Sequence, residues 1–245
     1  MKNTAIIIPS RLKAKRFPRK PLAEINGLPM IIHVLNRAKE AKVGEVFVAT
    51  PDKEIFDLVE KNGEKAILTS DKHFSGSDRT YEAYIKNLKH KVDLIINLQG
   101  DMPNINPKSI SQLEKLMRET NFSVGTLASL IKNESDIMNK NIVKVQVHET
   151  LHNNNFLEAI DFFRSKKHLK NEIIYHHIGI YAFTSDALTK YVTLSRSNLE
   201  MERNLEQMRA LQNNIKIGVS LSNSCPLGVD TESDLVKVTK EMNLQ

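Results

Sequence analysis

Arg11-Leu12-Lys13-Ala14-Lys15-Arg16-Phe17-Pro18-Arg19-Lys20 carries six cations and no anion, directly after a short apolar run and just before Pro21-Leu22. In an open α/β sheet ligands sit outside the carboxyl ends of the strands, so a basic loop after the first strand is placed where phosphates would lie. The chain contains neither G-x-x-x-x-G-K-[ST] nor G-x-G-x-x-G, so Arg and Lys side chains, not a glycine cradle, would hold those phosphates. Charges this dense repel one another unless an anion sits among them, which distinguishes the loop from a solvated charge run. Two acidic stretches could supply a metal site, Asn97-Leu98-Gln99-Gly100-Asp101 and Gly228-Val229-Asp230-Thr231-Glu232-Ser233-Asp234. An acid just past a buried strand can hold Mg²⁺, which takes one or two carboxylates and otherwise phosphate and water oxygens. The plainer readings are a Gly-Asp turn at 100–101 and, because Thr231 and Asp234 make a capping pattern, a cap neighbour at Asp230.

Three histidine and cysteine features carry less. His148-Glu149-Thr150-Leu151-His152 matches the zinc-protease string, whose chemistry needs both histidines on one helical face. Alternating Val143, Val145 and Val147 predict a strand before it and Asn153-Asn154-Asn155 a turn after it, so the pentapeptide is expected to bend a hairpin. His176 and His177 are adjacent in an expected strand and point to opposite faces, so they cannot chelate one ion together. One is expected to face a pocket and the other solvent or sheet. Cys225, beside Pro226, is expected to have no basic neighbour to activate its thiol.

The elements that must position these groups follow from periodicity. Residues 4–8 form a β-branched run, and after the basic loop Ile31, Leu35 and Ala38 fall on one helical stripe. Residues 45–50 predict the next strand. A short helix striped by Ile55, Leu58 and Val59 stops at Asn62-Gly63. The alternation continues with a strand at 65–68, a helix carrying Tyr81, Tyr84, Ile85 and Leu88, a strand at 92–98, and a helix opened by Asn106-Pro107 with Ile110, Leu113 and Met117. Strands alternating with helices imply right-handed βαβ units and a mostly parallel sheet, placing residues 1–120 in a Rossmann-like nucleotide half. From Val124 onward β-rich stretches dominate, at 143–147 and 173–183, followed by helices expected at 199–212 and 231–243. With 245 residues and no repeat, low-complexity tract or long linker, the chain is read as one domain, with 121–245 as its second half.

Charge narrows the function classes. Lys and Arg number 35 against 29 Asp and Glu, so removing the six cations of the loop leaves 29 against 29. The rest is neutral in sum, which argues for one local anion site and against a surface tracking a nucleic-acid backbone. No Trp and no aromatic ladder accompany the charge, which disfavours an RNA-binding reading of the loop. The apolar runs are far shorter than the roughly 20 residues a membrane span needs. The N-terminal apolar run is likewise too short for a secretory h-region. A single cysteine excludes an intrachain disulfide and makes a reducing cytoplasm the expected compartment.

A wider set of short motifs occurs in order: Ile8-Pro9-Ser10-Arg11, Arg16-Phe17-Pro18, Lys20-Pro21-Leu22, Ile25-Asn26-Gly27-Leu28-Pro29-Met30-Ile31, Val48-Ala49-Thr50, Ser75-Gly76-Ser77-Asp78-Arg79, Asn97-Leu98-Gln99-Gly100-Asp101, His177-Ile178-Gly179-Ile180-Tyr181, Leu205-Glu206-Gln207-Met208-Arg209 and Val229-Asp230-Thr231. Over nearly the whole chain this set closely resembles the 3-deoxy-manno-octulosonate (Kdo) cytidylyltransferase, or CMP-Kdo synthetase, family. The resemblance implies a three-layer α/β sheet of the nucleotide-diphospho-sugar transferase type, with a smaller β-rich insertion. It implies that Arg11, Arg16 and Lys20 bind the CTP triphosphate, that Ser75, Gly76, Ser77 and Arg79 frame the cytosine and ribose, that Pro9, Ser10 and Gln99 belong to the same nucleotide site, and that Asp101 and Asp230 hold Mg²⁺. Gln99, Arg164, His177, Tyr181, Glu206 and Gln207 match positions used around the sugar acid. Arg16, Lys20, Asp101 and Asp230 would be the catalytic set, acting in a homodimer on CTP and Kdo.

The reaction so implied is attack of the sugar's anomeric hydroxyl on the α-phosphate of CTP, with pyrophosphate leaving in line and no covalent enzyme intermediate. Four departures from the family pattern are visible: Arg19 where Gly is usual, Met102 where an acid or amide is usual, Lys166-Lys167-His168-Leu169 where an Ile-Pro-aromatic segment is usual, and Arg203 where Glu is common. They fall more on the sugar side than on the nucleotide side. A cytidylyltransferase for amino-Kdo or a sialic acid is therefore the alternative within the class.

Overall fold

The computed structural model describes residues 3–13, 16–131, 133–165 and 172–244. In chain order these hold β1 (Thr4–Pro9), a 3-10 turn (Lys20–Leu22), β2 (Glu24–Ile25), β3 (Leu28–Pro29), α1 (Met30–Glu40), β4 (Glu45–Thr50), α2 (Lys53–Lys61), β5 (Ala66–Leu68), α3 (Gly76–Asn87), β6 (Leu94–Asn97) and α4 (Pro107–Glu119). They continue with β7 (Val124–Ser129), α5 (Glu134–Met138), β8 (Lys144–Val147), β9 (Leu157–Phe163), β10 (Ile173–Thr184), α6 (Ser185–Thr193), α7 (Asn198–Arg203), α8 (Met208–Gln212), β11 (Ile217–Leu221) and α9 (Glu232–Met242). The chain divides into two compact units, one of Met1–Ser111 with Pro226–Gln245 and one of Gln112–Cys225.

In the first unit the expected βαβ alternation holds, and β5, β4, β1 and β6 lie side by side with every pairing parallel. Parallel strands covered by helices read as continuous apolar runs, and Ile6, Ile7, Ile8, Val48, Ala49, Ile95 and Ile96 are all fully buried. The connection after the 3-10 turn is a two-residue hairpin between β2 and β3. Asn26 (φ 52°) and Gly27 (φ 77°) occupy the left-handed positions that such a turn requires. A separate cluster of Ile25, Met30, Val229 and Val238 fastens that hairpin to the C-terminal helix α9.

The second unit is mixed, as the β-rich sequence predicts. Its strands run β10, β7, β11, β9, β8, with β8 also pairing β10; only β7 and β11 are parallel. Paired Gly125 and Gly218 leave room there for aromatic rings, since a Cβ on Gly218 would stand 2.7 Å from Phe156 Cγ. Two expectations change. The helix read over 199–212 is two short helices, because Asn204 takes a left-handed conformation (φ 52°) that ends α7. Periodicity had continued through this break because Met201, Leu205 and Met208 keep helical spacing across it. The strands β2, β3, β9 and β11 and the helices α5 and α6 were not anticipated. His148 to His152 lie between β8 and β9, which pair antiparallel with Val147 opposite Ala159, so the expected hairpin is present and the zinc-protease helix is not.

Candidate active site

Each candidate group in the first unit sits at a strand end or helix start. Asp101 follows β6 and Asp230 precedes α9, 129 positions later in the chain, yet Val229 N donates to the Asp101 carbonyl at 2.9 Å and joins the two segments. Lys20 Nζ donates to Asp101 Oδ2 at 3.0 Å and to the Val229 carbonyl at 2.7 Å, and lies 3.5 Å from Asp230 Oδ1. Arg16 Nη2 reaches the other Asp230 oxygen at 2.8 Å. Arg19 turns away to pair with Glu54 on α2. The protein's own carboxylates thus pair three of the loop's cations; Lys15 is outside the described residues. Asp230 is placed by the capping box of α9, in which the Thr231 side chain accepts from Asp234 N and Asp234 accepts from the Thr231 and Asp230 amides.

The second strand-to-helix junction is the start of α3. Ser75 caps it reciprocally with Asp78, presenting Gly76 and Ser77 at the amino end of a 12-residue helix. Asn97 Nδ2 donates to Ser77 Oγ at 3.2 Å, and Gln99 Nε2 donates to Asn97 Oδ1 at 3.0 Å. A Cβ on Gly76 would lie 3.4 Å from both Gln99 Oε1 and Pro9 Cγ, so Pro9, Gly76 and Gln99 share one close-packed spot. Arg79 is 3% exposed and donates through Nη1 to Thr69 Oγ1 at 2.6 Å and to the Ser70 carbonyl at 3.0 Å. Burial, and secondarily the Arg11 charge, pull its pKa down. The Ser10 hydroxyl is buried and meets no hydrogen-bond partner among the described residues, a polar atom left for a ligand. Pro9, Ser10, Arg11, Arg16, Lys20, Ser75, Gly76, Ser77, Arg79, Gln99, Asp101 and Asp230 all belong to this unit.

The second unit holds the other group. His177 Nε2 lies 3.0 Å from Thr126 Oγ1, and its ring packs edge-on against Phe162 at 5.0 Å and tilted against Tyr181 at 5.4 Å. Burial first, and the neighbouring His176 second, lower its pKa to about 3, so the imidazole is neutral at physiological pH. The Tyr181 hydroxyl is buried with no hydrogen-bond partner among the described residues, and burial and Glu206 raise its pKa. Glu206 is fixed by the Tyr191 hydroxyl, which donates to its carbonyl at 2.7 Å, and Gln207 is buried beside it. Arg164 Nη1 donates to the Lys140 and Asn141 carbonyls at 3.1 and 3.3 Å.

Several groups that sequence reasoning missed hold these residues in place. Arg209 grips Glu200 through two 2.8 Å bonds, both side chains buried, and stacks 4.9 Å over Tyr191. Lys144 is fully buried with Nζ on the carbonyls of Asn139, Ile142 and Arg164 at 2.6, 3.0 and 2.8 Å. Arg203 bonds Asp161 and the Phe162 carbonyl. The Ser197-x-x-Glu200 capping pattern was the one local signal for the first of these networks. One reading is corrected: Cys225 does have a basic neighbour, His176 Nδ1 at 3.3 Å, contributed from 49 positions away, where chain adjacency could not show it. No group of three or more metal-ligating side chains exists among the described residues, and His148 and His152 are exposed. Lys166 to Leu169 lie outside the described residues.

A family model described as Cytidylyltransferase matches residues 5–217. A 3-deoxy-manno-octulosonate cytidylyltransferase of Brucella anthropi is 42% identical over 233 residues, covering 95% of this chain and 93% of its own length. Its counterpart from Bartonella tribocorum is 41% identical over 236 residues and 96% of each chain. Among solved structures, CMP:2-keto-3-deoxy-manno-octonic acid synthetase complexed with CTP matches with a TM-score of 0.89 at 36% identity over 99% of both chains.

Proposed function

This chain belongs to the 3-deoxy-manno-octulosonate cytidylyltransferases, and from that premise we propose that it transfers CMP from CTP to the anomeric hydroxyl of Kdo, yielding CMP-Kdo and pyrophosphate for lipopolysaccharide synthesis. The observation that carries the residue assignment is the Lys20 ammonium held between Asp101 and Asp230. Two carboxylates of distant origin already converge on a cation there, and two are what a divalent ion that binds largely through phosphate oxygens takes from a protein. The donor set fits Mg²⁺: Asp101 and Asp230 would hold it. When bound it supplies the positive charge that lowers the sugar hydroxyl's pKa and screens two anions from each other.

The remaining work falls to the chain. Arg11, Arg16 and Lys20 take the triphosphate oxygens, Arg16 and Lys20 exchanging their carboxylate partners for phosphate, so that positive charge meets the leaving pyrophosphate. Ser75, Gly76, Ser77 and Arg79 frame the cytosine and ribose, and Pro9, Ser10 and Gln99 complete the nucleotide site. Gln99, Arg164, His177, Tyr181, Glu206 and Gln207 bind the sugar acid. The new bond joins the anomeric oxygen to the α-phosphorus as the bond to the β-phosphate oxygen breaks, and orientation with charge neutralisation supplies the rate. The enzyme acts as a cytoplasmic homodimer without nucleic-acid or membrane partners; no described helix is long and apolar enough to cross a membrane.

Pyrophosphate release from CTP and Mg²⁺ with Kdo, amino-Kdo and sialic acid as parallel acceptors tests this reading. The expected result is a kcat/KM for Kdo well above the other two. Preference for another acid would move the enzyme to the alternative acceptor, and release with none would overturn the assignment.

A further inference from the structure

We propose that Thr126 is a positioning residue that locks His177 as the Nε2–H tautomer, leaving Nδ1 as an acceptor for a hydroxyl of the sugar acid; this rests on the assignment of His177 to the sugar side made above. The argument is one of hydrogen-bond accounting. Thr126 Oγ1 lies 2.6 Å from the Ile180 carbonyl, 3.2 Å from the Ile178 carbonyl and 3.0 Å from His177 Nε2. A hydroxyl has one proton to give, and carbonyl oxygens can only accept. With two carbonyls facing it, the Thr126 proton points at them, and toward His177 only its lone pair remains. Nε2 must therefore carry the hydrogen and donate.

The strand makes this arrangement specific. Register in the β7–β10 pair shifts between Ile178 and Tyr181, so β10 bulges opposite Thr126 and turns the two carbonyls toward the hydroxyl. Phe162 and Tyr181 pack on the imidazole and fix its plane. With the hydrogen on Nε2, Nδ1 can only accept, and the hydroxyl of Tyr181, whose ring packs on the imidazole, is buried with no partner among the described residues. An obligate acceptor beside an unpartnered phenol matches a polyhydroxy ligand, whose hydroxyl both donates and accepts. The lowered pKa of His177 is consistent, because a neutral ring keeps that acceptor lone pair.

The test is a long-range ¹H–¹⁵N spectrum of protein labelled at histidine, with the His177 signals assigned by their loss in His177→Gln. The wild-type enzyme without substrate should show the Nε2–H pattern, unchanged between pH 5 and 8. Thr126→Val keeps shape and removes the hydroxyl. It should mix the tautomers and raise the KM for Kdo about tenfold, the effect of one misplaced hydrogen bond, with the KM for CTP within about twofold. Thr126→Ser should restore both the spectrum and the KM. An Nδ1–H pattern in the wild type overturns the proposal whether or not the valine variant folds. So does a folded Thr126→Val enzyme with the wild-type spectrum, or with mixed tautomers and an unchanged KM for Kdo. Failure of the Kdo assignment itself would appear separately, as absent turnover in the wild type with the tautomer result standing.

Discussion

Asp101 and Asp230 are far apart in sequence and share Lys20, which makes the three a single electrostatic unit. Asp101→Asn and Asp230→Asn should each lower turnover by about 10²–10³ while leaving the fold near native, the usual loss for one electrostatic stabiliser. Because both act through one bound cation, the double variant should be little slower than either single one. Initial rates at limiting Mg²⁺ decide this, and losses that multiply would separate the two carboxylates. Lys20→Ala should raise the KM for CTP and lower kcat together, since its charge is needed most as pyrophosphate leaves; steady-state kinetics with CTP as the varied substrate check it, and unchanged constants would remove the loop from the nucleotide site.

Helix boundaries and turns set where these side chains sit. The α7–α8 break at Asn204 presents Glu206 and Gln207, and the buried Glu200–Arg209 pair spans that break. Burial opposes ionisation of Glu200, but its bonds from Arg209 and Arg196 outweigh this and hold its pKa low. Glu200→Gln leaves the Arg209 charge buried without its partner, a loss of about 3–5 kcal/mol. Denaturant unfolding should register that loss, and the KM for Kdo should rise while that for CTP stays put. A smaller device precedes the 3-10 turn, where Arg19 occupies a left-handed position (φ 59°) and is exposed. The family's usual glycine has a plain reason here, since a side chain in that region costs roughly 1–2 kcal/mol. Arg19→Gly should therefore unfold at the same denaturant midpoint or a higher one despite losing the Glu54 pair, whereas Arg19→Val should unfold at a lower one.

Across the whole molecule the acid side of the stability curve is set by groups held in one charge state. His177 has its pKa lowered from 6.5 to about 3 by burial, so between those values the unfolded chain binds a proton that the folded one refuses. The stability it contributes is complete above pH 6.5 and is lost as pH falls toward 3, at about 1.4 kcal/mol per pH unit. Glu82 acts at lower pH. Burial works against its charge, but bonds from Lys86, His73 and Ser70 bring its pKa to about 2, so its share disappears as pH falls from the ordinary carboxylate range to that value. Denaturation midpoints from pH 8 to 4 should fall for the wild type and fall less steeply for His177→Gln; equal slopes would mean that His177 is protonated in the folded state.

The strand–helix alternation, the basic loop, both acidic turns and the capping residue Thr231 were legible in the sequence, because each rests on periodicity or on chemistry between near neighbours in the chain. The ordered motifs carried the family, and the α/β class followed from the alternation. What the sequence left open is whatever depends on partners from distant strands. Neutralisation of Lys20 by Asp101 and Asp230, the pairing of Cys225 with His176, the burial of Lys144 under three carbonyls and the contact of Thr126 with His177 bring together residues 49 to 210 positions apart or rest on backbone oxygens. Such contacts are set by strand register and by which carbonyls a bulge exposes, and no residue type at a fixed spacing encodes either. Tertiary structure alone decided them, because a buried charge or hydroxyl must find its partner wherever the closed fold supplies one.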